Sequence, residues 1–187
     1  GWTTDFGDTV IAAELAAAKA LIGGLAARGN RVGILTFTDS TRVRAAVGNP
    51  ATALAAVPTI RPIVDWTGTN HSLALAIAED MLASTPNAGD VRRPRAILLF
   101  TDGRPTTPNG EHWATQRALE VAAALPERGV TLFTASYGEE PDPEYLDELA
   151  RASGGVSLSP QDLRALASEA GRHRIEPQEL VIENLTA

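Results

Sequence analysis

An α/β fold, a doubly wound and mostly parallel sheet flanked by helices, is predicted by two apolar runs and by the regular exchange of such runs with amphipathic segments. The runs are RVGILTFT, Arg31 to Thr38, and RAILLFT, Arg95 to Thr101. Ile97, Leu98, Leu99 and Phe100 in succession leave no wet face, the pattern of a strand covered by helices on both sides. The second run then delivers Asp102 into the turn Gly103-Arg104-Pro105. In open parallel sheets ligands bind at the carboxyl ends of strands, so an acid there is a candidate site residue.

From Asp8 to Arg28, residues Ile11, Leu15, Ala18, Ile22 and Leu25 recur at helical spacing, and Gly29-Asn30 stops the pattern. Arg31 to Thr38 follows as a buried strand. After the polar turn Asp39-Ser40-Thr41, Val43 to Val47 predicts a short edge strand. Ala51 to Val57 is expected as a short helix and Pro58 to Asn70 as a loop. Ser72 to Ala83 is helical, with Leu73, Ile77 and Met81 or Leu82 on one face. Beyond Arg95 to Thr101 come a helix from about His112 to Arg128 and the buried strand VTLFTASYG. Pro143 to Ser153 predicts a helix with proline in its first turn, Tyr145, Leu146 and Leu149 inward, and Gly154-Gly155 as its stop. Val156 to Leu158 is a short strand, Ser159 to His173 a helix, and Glu179 to Leu185 a last strand within an extra C-terminal stretch, 174–187. The whole forms one domain with right-handed crossovers.

The opening of the chain breaks this regularity. Gly1 to Gly7 carries no apolar strand, yet the first strand of a doubly wound sheet is central. Without it the first central strand is missing and two buried edges stand unpaired, at about 1–3 kcal/mol per unsatisfied group. The expectation is a strand supplied from upstream of Gly1, with Glu179 to Leu185 or a second chain as the further sources.

Composition excludes several functions. Lys+Arg 16 against Asp+Glu 23 gives a net charge of -7, which opposes binding to a phosphate backbone, so no nucleic-acid partner is expected. Cysteine is absent, and with it disulfides, thiolate metal sites and cysteine nucleophiles. Val10 to Ala27, the longest apolar stretch, is broken by Glu14, Lys19 and Gly23-Gly24, so no membrane insertion is expected. No glycine-rich nucleotide cradle follows a strand, and no Gly-x-Ser-x-Gly elbow is present. Ser136, at a strand end, lacks a histidine partner.

The second informative segment is WTGTNHSLALAIA, Trp66 to Ala78. Gly68 permits close backbone approach, Thr69 offers a hydroxyl and Asn70 can cap the helix that follows. A helix-start hydroxyl beside a strand-end carboxylate suits a hard divalent cation such as Mg2+. The same residues also read as a simple cap at Thr69 and a simple turn at Asp102. Asp39 and Asp65 lie in loops at the same sheet edge, as an outer shell or as turn residues. His71, His112 and His173 lack the i, i+4 pairing of a zinc site and are expected as surface or capping residues. Trp66 and Trp113 are expected either to rim the site or to pack as lids, and Glu139, Glu140 and Asp142 to form a solvated acidic turn.

The succession RVGILTFTDS, GTNHSLALAIA, RAILLFTDGRPT, GVTLFTASYG and LDELARASGG resembles the von Willebrand factor type A family in order, spacing and local chemistry, over most of the chain. The resemblance implies a Rossmann-like doubly wound sheet and a metal-ion-dependent adhesion site built from three loops. Thr69 matches the threonine of the second loop and Asp102 the aspartate of the third. The first loop, Asp-x-Ser-x-Ser, has no match here; it belongs to the same gap as the missing strand. The implied function is a non-catalytic protein-binding module in which Mg2+, or Mn2+ or Ca2+, accepts an Asp or Glu side chain of a partner once the first loop is present. Two other readings use the same edge: a metal-dependent enzyme domain binding a small molecule or nucleotide through Asp39, Asp65 and Asp102, and a metal-free structural subunit pairing through its open sheet edge.

Overall fold

The computed structural model describes residues 10–26, 29–61, 68–86, 94–101, 103–136, 142–159, 162 and 179–183. In chain order these form α1 (Val10–Ala26), β1 (Arg31–Phe37), β2 (Thr41–Gly48), α2 (Pro50–Ala56), α3 (His71–Ala83), β3 (Arg95–Thr101), α4 (Glu111–Ala124), β4 (Val130–Ser136), α5 (Pro143–Ala152), β5 (Ser157–Leu158) and β6 (Glu179–Glu183). Short 3₁₀ turns, Val57–Thr59 and Leu125–Arg128, follow α2 and α4.

The strands lie in the order β2-β1-β6-β3-β4-β5, with β2 the antiparallel edge and the other pairings parallel. The expected helix-covered strands are found. After its first residue, every position of β1 and of β3 is buried. Alternate side chains of β3 feed two apolar layers. Ala96, Leu98 and Phe100 meet Ile22 and Leu25 of α1 and Ala53 of α2, whereas Ile97 and Leu99 meet Leu75 of α3, Ala118 of α4 and Leu146 of α5. Each large side chain sealed in this way contributes roughly 1.5–3 kcal/mol.

The middle of the sheet is filled by β6, from the second source named, which lies parallel between β1 and β3. Glu179 registers with Arg31 on one side and Arg95 on the other, and the ladder runs to Glu183, level with Leu35 and Leu99. Backbone groups at the facing edges of β1 and β3 therefore find partners from within the chain. The helix expected over Ser159 to His173 lies almost wholly outside the described residues. The helix expected to reach Arg128 gives way at Leu125 to a 3₁₀ turn that Gly129 ends in the left-handed conformation.

Candidate functional site

The carboxyl ends of β1 and β3 open onto a rim made of residues 38–40, 68–70 and 103–110. Asn70 begins α3 as its cap, its Oδ1 accepting the Leu73 N–H at 3.0 Å and the Ser72 hydroxyl at 2.9 Å. Its own N–H donates to the Thr38 carbonyl at 2.8 Å, which joins the second loop to the end of β1. Thr38 in turn donates its hydroxyl to Asp39 Oδ1 at 3.2 Å, so Asp39 stands at the same rim.

Thr69 is held from the other side. Its N–H donates to Thr106 Oγ1 at 2.9 Å, and its carbonyl accepts the N–H groups of Thr106 at 2.9 Å and Thr107 at 3.0 Å. These bonds use the Thr69 backbone; among the described residues its hydroxyl is engaged by none of them. The interlock requires glycine at the preceding position. Gly68 has φ +91, and a Cβ there would lie 2.7 Å from Thr107 Cγ2 and 2.9 Å from Thr106 Oγ1. Thr107 Oγ1 is buried and has no hydrogen-bond partner among the described residues.

Asp102 lies outside the described residues, as do Asp65, Trp66, His173, Glu139 and Glu140. The residues on either side of Asp102 are bonded across it: Thr101 Oγ1 donates to the Gly103 carbonyl at 3.1 Å and accepts the Gly103 N–H at 3.3 Å. Thr69 is thus bonded to Thr106 and Thr107, in the loop that continues from Gly103.

His71 corrects the expectation of a surface or capping residue. It is completely buried, with Nδ1 2.8 Å from the Tyr145 hydroxyl and Nε2 3.2 Å from Thr101 Oγ1. Phe37 meets the ring edge-on and Tyr145 stacks on it. Burial without a carboxylate partner pushes the imidazole down to about 3, and burial pushes the Tyr145 phenol up. His112 is exposed on the first turn of α4, and Trp113 beside it is 45% exposed. Asp142 also departs from expectation, because it is not only a solvated acid. It caps α5, accepting the Tyr145 N–H at 2.8 Å, and pairs with Arg104, which also reaches Glu111 and lies over the Tyr145 ring. The Tyr145 N–H first, and then Arg104, hold the Asp142 carboxyl below its ordinary value.

Sequence reasoning missed Thr106 and Thr107, and gave Tyr145 only an inward place on its helix and Arg104 only a place in the turn. The run GRPTTP, directly after Asp102, was the available signal: two hydroxyl residues in a turn that must pack against the glycine loop. Among the described residues no group of three or more His, Cys, Asp or Glu side chains gathers to hold an ion, and no helix is long and apolar enough to cross a membrane.

Residues 7–172 match the family model described as von Willebrand factor type A domain. None of the curated proteins matches the chain. Among solved structures, the chain is similar to the conserved hypothetical protein BatB from Bacteroides thetaiotaomicron, with 20% identity, TM-score 0.64, and coverage of 84% of this chain and 87% of that one. It is also similar to the SpRpn10 VWA domain, at 16% identity and TM-score 0.64 over 87% of this chain and 86% of that one. A third, proximal thread matrix protein 1 from the mussel byssus with a zinc-occupied MIDAS motif, has 13% identity and TM-score 0.62, over 87% of this chain and 41% of that one.

Proposed function

We propose a function from one premise: the chain belongs to the von Willebrand factor type A family, whose members are protein-interaction modules. The function is capture of an acidic side chain of a protein partner at the rim of residues 38–40, 68–70 and 103–110. Thr69 and Asp102 would hold a divalent cation there, Thr69 through its hydroxyl and Asp102 directly or through water. Such an ion supplies a strong local positive charge with a coordination position left for a carboxylate. Catalysis is no part of the proposal.

The observation that carries this reading is the interlock of the Thr69 backbone with Thr106 and Thr107, which puts the second loop against the loop that leaves Asp102. The donor chemistry fits a hard cation, because the rim offers hydroxyl and carboxylate oxygens. Thr107 Oγ1, buried without a partner among the described residues and 3.5 Å from where a Gly68 Cβ would stand, is an oxygen with unused lone pairs at this spot. Zinc in the MIDAS motif of the mussel protein adds that a fold of this kind accepts a divalent ion. The remaining oxygen ligands belong to the Asp-x-Ser-x-Ser loop, which we place on a strand upstream of Gly1. That strand would contend with β6 for the centre of the sheet.

The test uses Mn2+ uptake, read by water-proton relaxation, and retention of peptides carrying Asp or Glu against the same peptides carrying Asn or Gln. Thr69→Ala and Asp102→Ala are expected to lower Mn2+ affinity at least about tenfold, with unchanged melting, and a chelator is expected to abolish the preference for acidic peptides. Equal uptake by Asp102→Ala and the parent, or a preference that survives the chelator, would remove the reading.

A further inference from the structure

We propose that His71 is the positioning residue of this rim, acting as the Nε2–H tautomer in a one-way chain of hydrogen bonds that locks the turn on either side of Asp102. The chain runs from Tyr145 to His71 to Thr101 to Gly103. A neutral imidazole has one N–H, and the contacts decide which nitrogen carries it. With the proton on Nε2, the Tyr145 hydroxyl donates to Nδ1, Nε2–H donates to Thr101 Oγ1, and the Thr101 hydroxyl donates to the Gly103 carbonyl. Thr101 Oγ1 keeps a lone pair for the Gly103 N–H. Every donor then has an acceptor. With the proton on Nδ1 instead, Thr101 must turn its hydroxyl toward Nε2, and the Gly103 carbonyl loses its donor.

Bonds aligned head to tail polarise one another, so the chain resists the loss of any one member. Its two ends lie on different elements, with Tyr145 in the first turn of α5 and Gly103 at the exit of β3. Between them, His71 opens α3 two residues after Thr69. One buried ring therefore couples the start of the second loop's helix to the turn of the third loop. Phe37 meets the ring in a T-shaped contact and Tyr145 stacks on it, so both aromatics pack against the ring. Only the identity of what the turn holds rests on the function proposed above.

Long-range 1H–15N correlation of the His71 ring reads the tautomer, and hydrogen exchange reads the Gly103 amide with the Leu98 amide of β3 as reference. Neither needs an ion. Nε2–H is expected in the parent chain. In His71→Phe the Gly103 amide is expected to exchange about tenfold faster while Leu98 is unchanged. His71→Gln, whose side-chain amide can still donate to Thr101, is expected to restore most of the protection. Tyr145→Phe keeps the stacked ring and removes only the first donor; it serves if His71→Phe fails to fold, and is expected to raise Gly103 exchange severalfold with Leu98 unchanged while the proton stays on Nε2, because Thr101 Oγ1 still accepts it and the hydroxyl that could accept from Nδ1 is gone. Mn2+ affinity is expected to fall about tenfold in His71→Phe. An Nδ1–H ring in the parent, Gly103 exchange unmoved or rising in step with Leu98, or unchanged Mn2+ affinity behind a loosened turn would overturn the proposal. A parent chain that takes up no Mn2+ would count against the proposed function alone, leaving the tautomer and exchange results to decide this one.

Discussion

A neutral imidazole sealed inside the fold makes stability depend on acidity in a definite direction. Folded, His71 is held down to about 3 by burial; unfolded, it returns to its ordinary value near 6.5. Its contribution is therefore complete above pH 6.5 and is lost as pH falls toward 3, because the unfolded chain binds a proton that the native one refuses. The slope is about 1.4 kcal/mol per pH unit, so roughly 2 kcal/mol should go between pH 7 and pH 5. Urea unfolding at the two pH values, for the parent and for His71→Gln, checks this: the loss in the parent should exceed that of the variant by about that amount. Equal losses would mean that the ring is already able to charge in the native state. None of this was legible from the sequence, where a histidine between Asn70 and Ser72 reads as a polar helix start. Its burial is decided by Thr101, 30 residues away, and Tyr145, 74 residues away. The loop around Thr69 was legible because Gly68 and the cap Asn70 are adjacent in the chain.

Among the elements, those whose evidence is local were read well. β1 and β3 announce themselves by apolar runs without alternation, α3 by Asn70 before its apolar face, and α5 by Pro143 in its first turn, although its cap, Asp142, was read only as a solvated acid. The Gly154-Gly155 stop was legible as a stop, but not as two different glycines. Gly154 takes the left-handed turn, at φ +80, whereas a Cβ on Gly155 would lie 1.9 Å from the Leu132 carbonyl oxygen in the adjacent β4. That contact is with backbone, which cannot step aside as a flexible side chain can. Gly155→Ala should therefore lower stability by about 3 kcal/mol, whereas Gly154→Ala should lose only the roughly 1 kcal/mol of a strained left-handed residue. Thermal melts of the two variants should rank them in that order; a Gly155→Ala protein that melts like the parent would contradict the packing of α5 and β5 against β4.

For the molecule as a whole, the doubly wound arrangement was readable from the alternation of strands and helices, but which of the three named sources reaches its centre was not. ELVIE is short and polar at both ends, and parallel pairing leaves no trace in neighbouring residues, so nothing in 179–183 declares two partners. The match to the family model ends at residue 172, so the strand at the heart of the sheet lies beyond it. Val181 registers with Gly33 on one side and Ile97 on the other. Proline there removes a donor in mid-sheet, and Val181→Pro is expected to cost about 3 kcal/mol or more. Circular dichroism melts would check it, and an unshifted transition would mean that β6 is dispensable for the fold. The same placement bears on how the protein is made. Because β6 comes after every other described element, its bridge between the two halves of the sheet can form only once residue 183 has left the ribosome, late in synthesis.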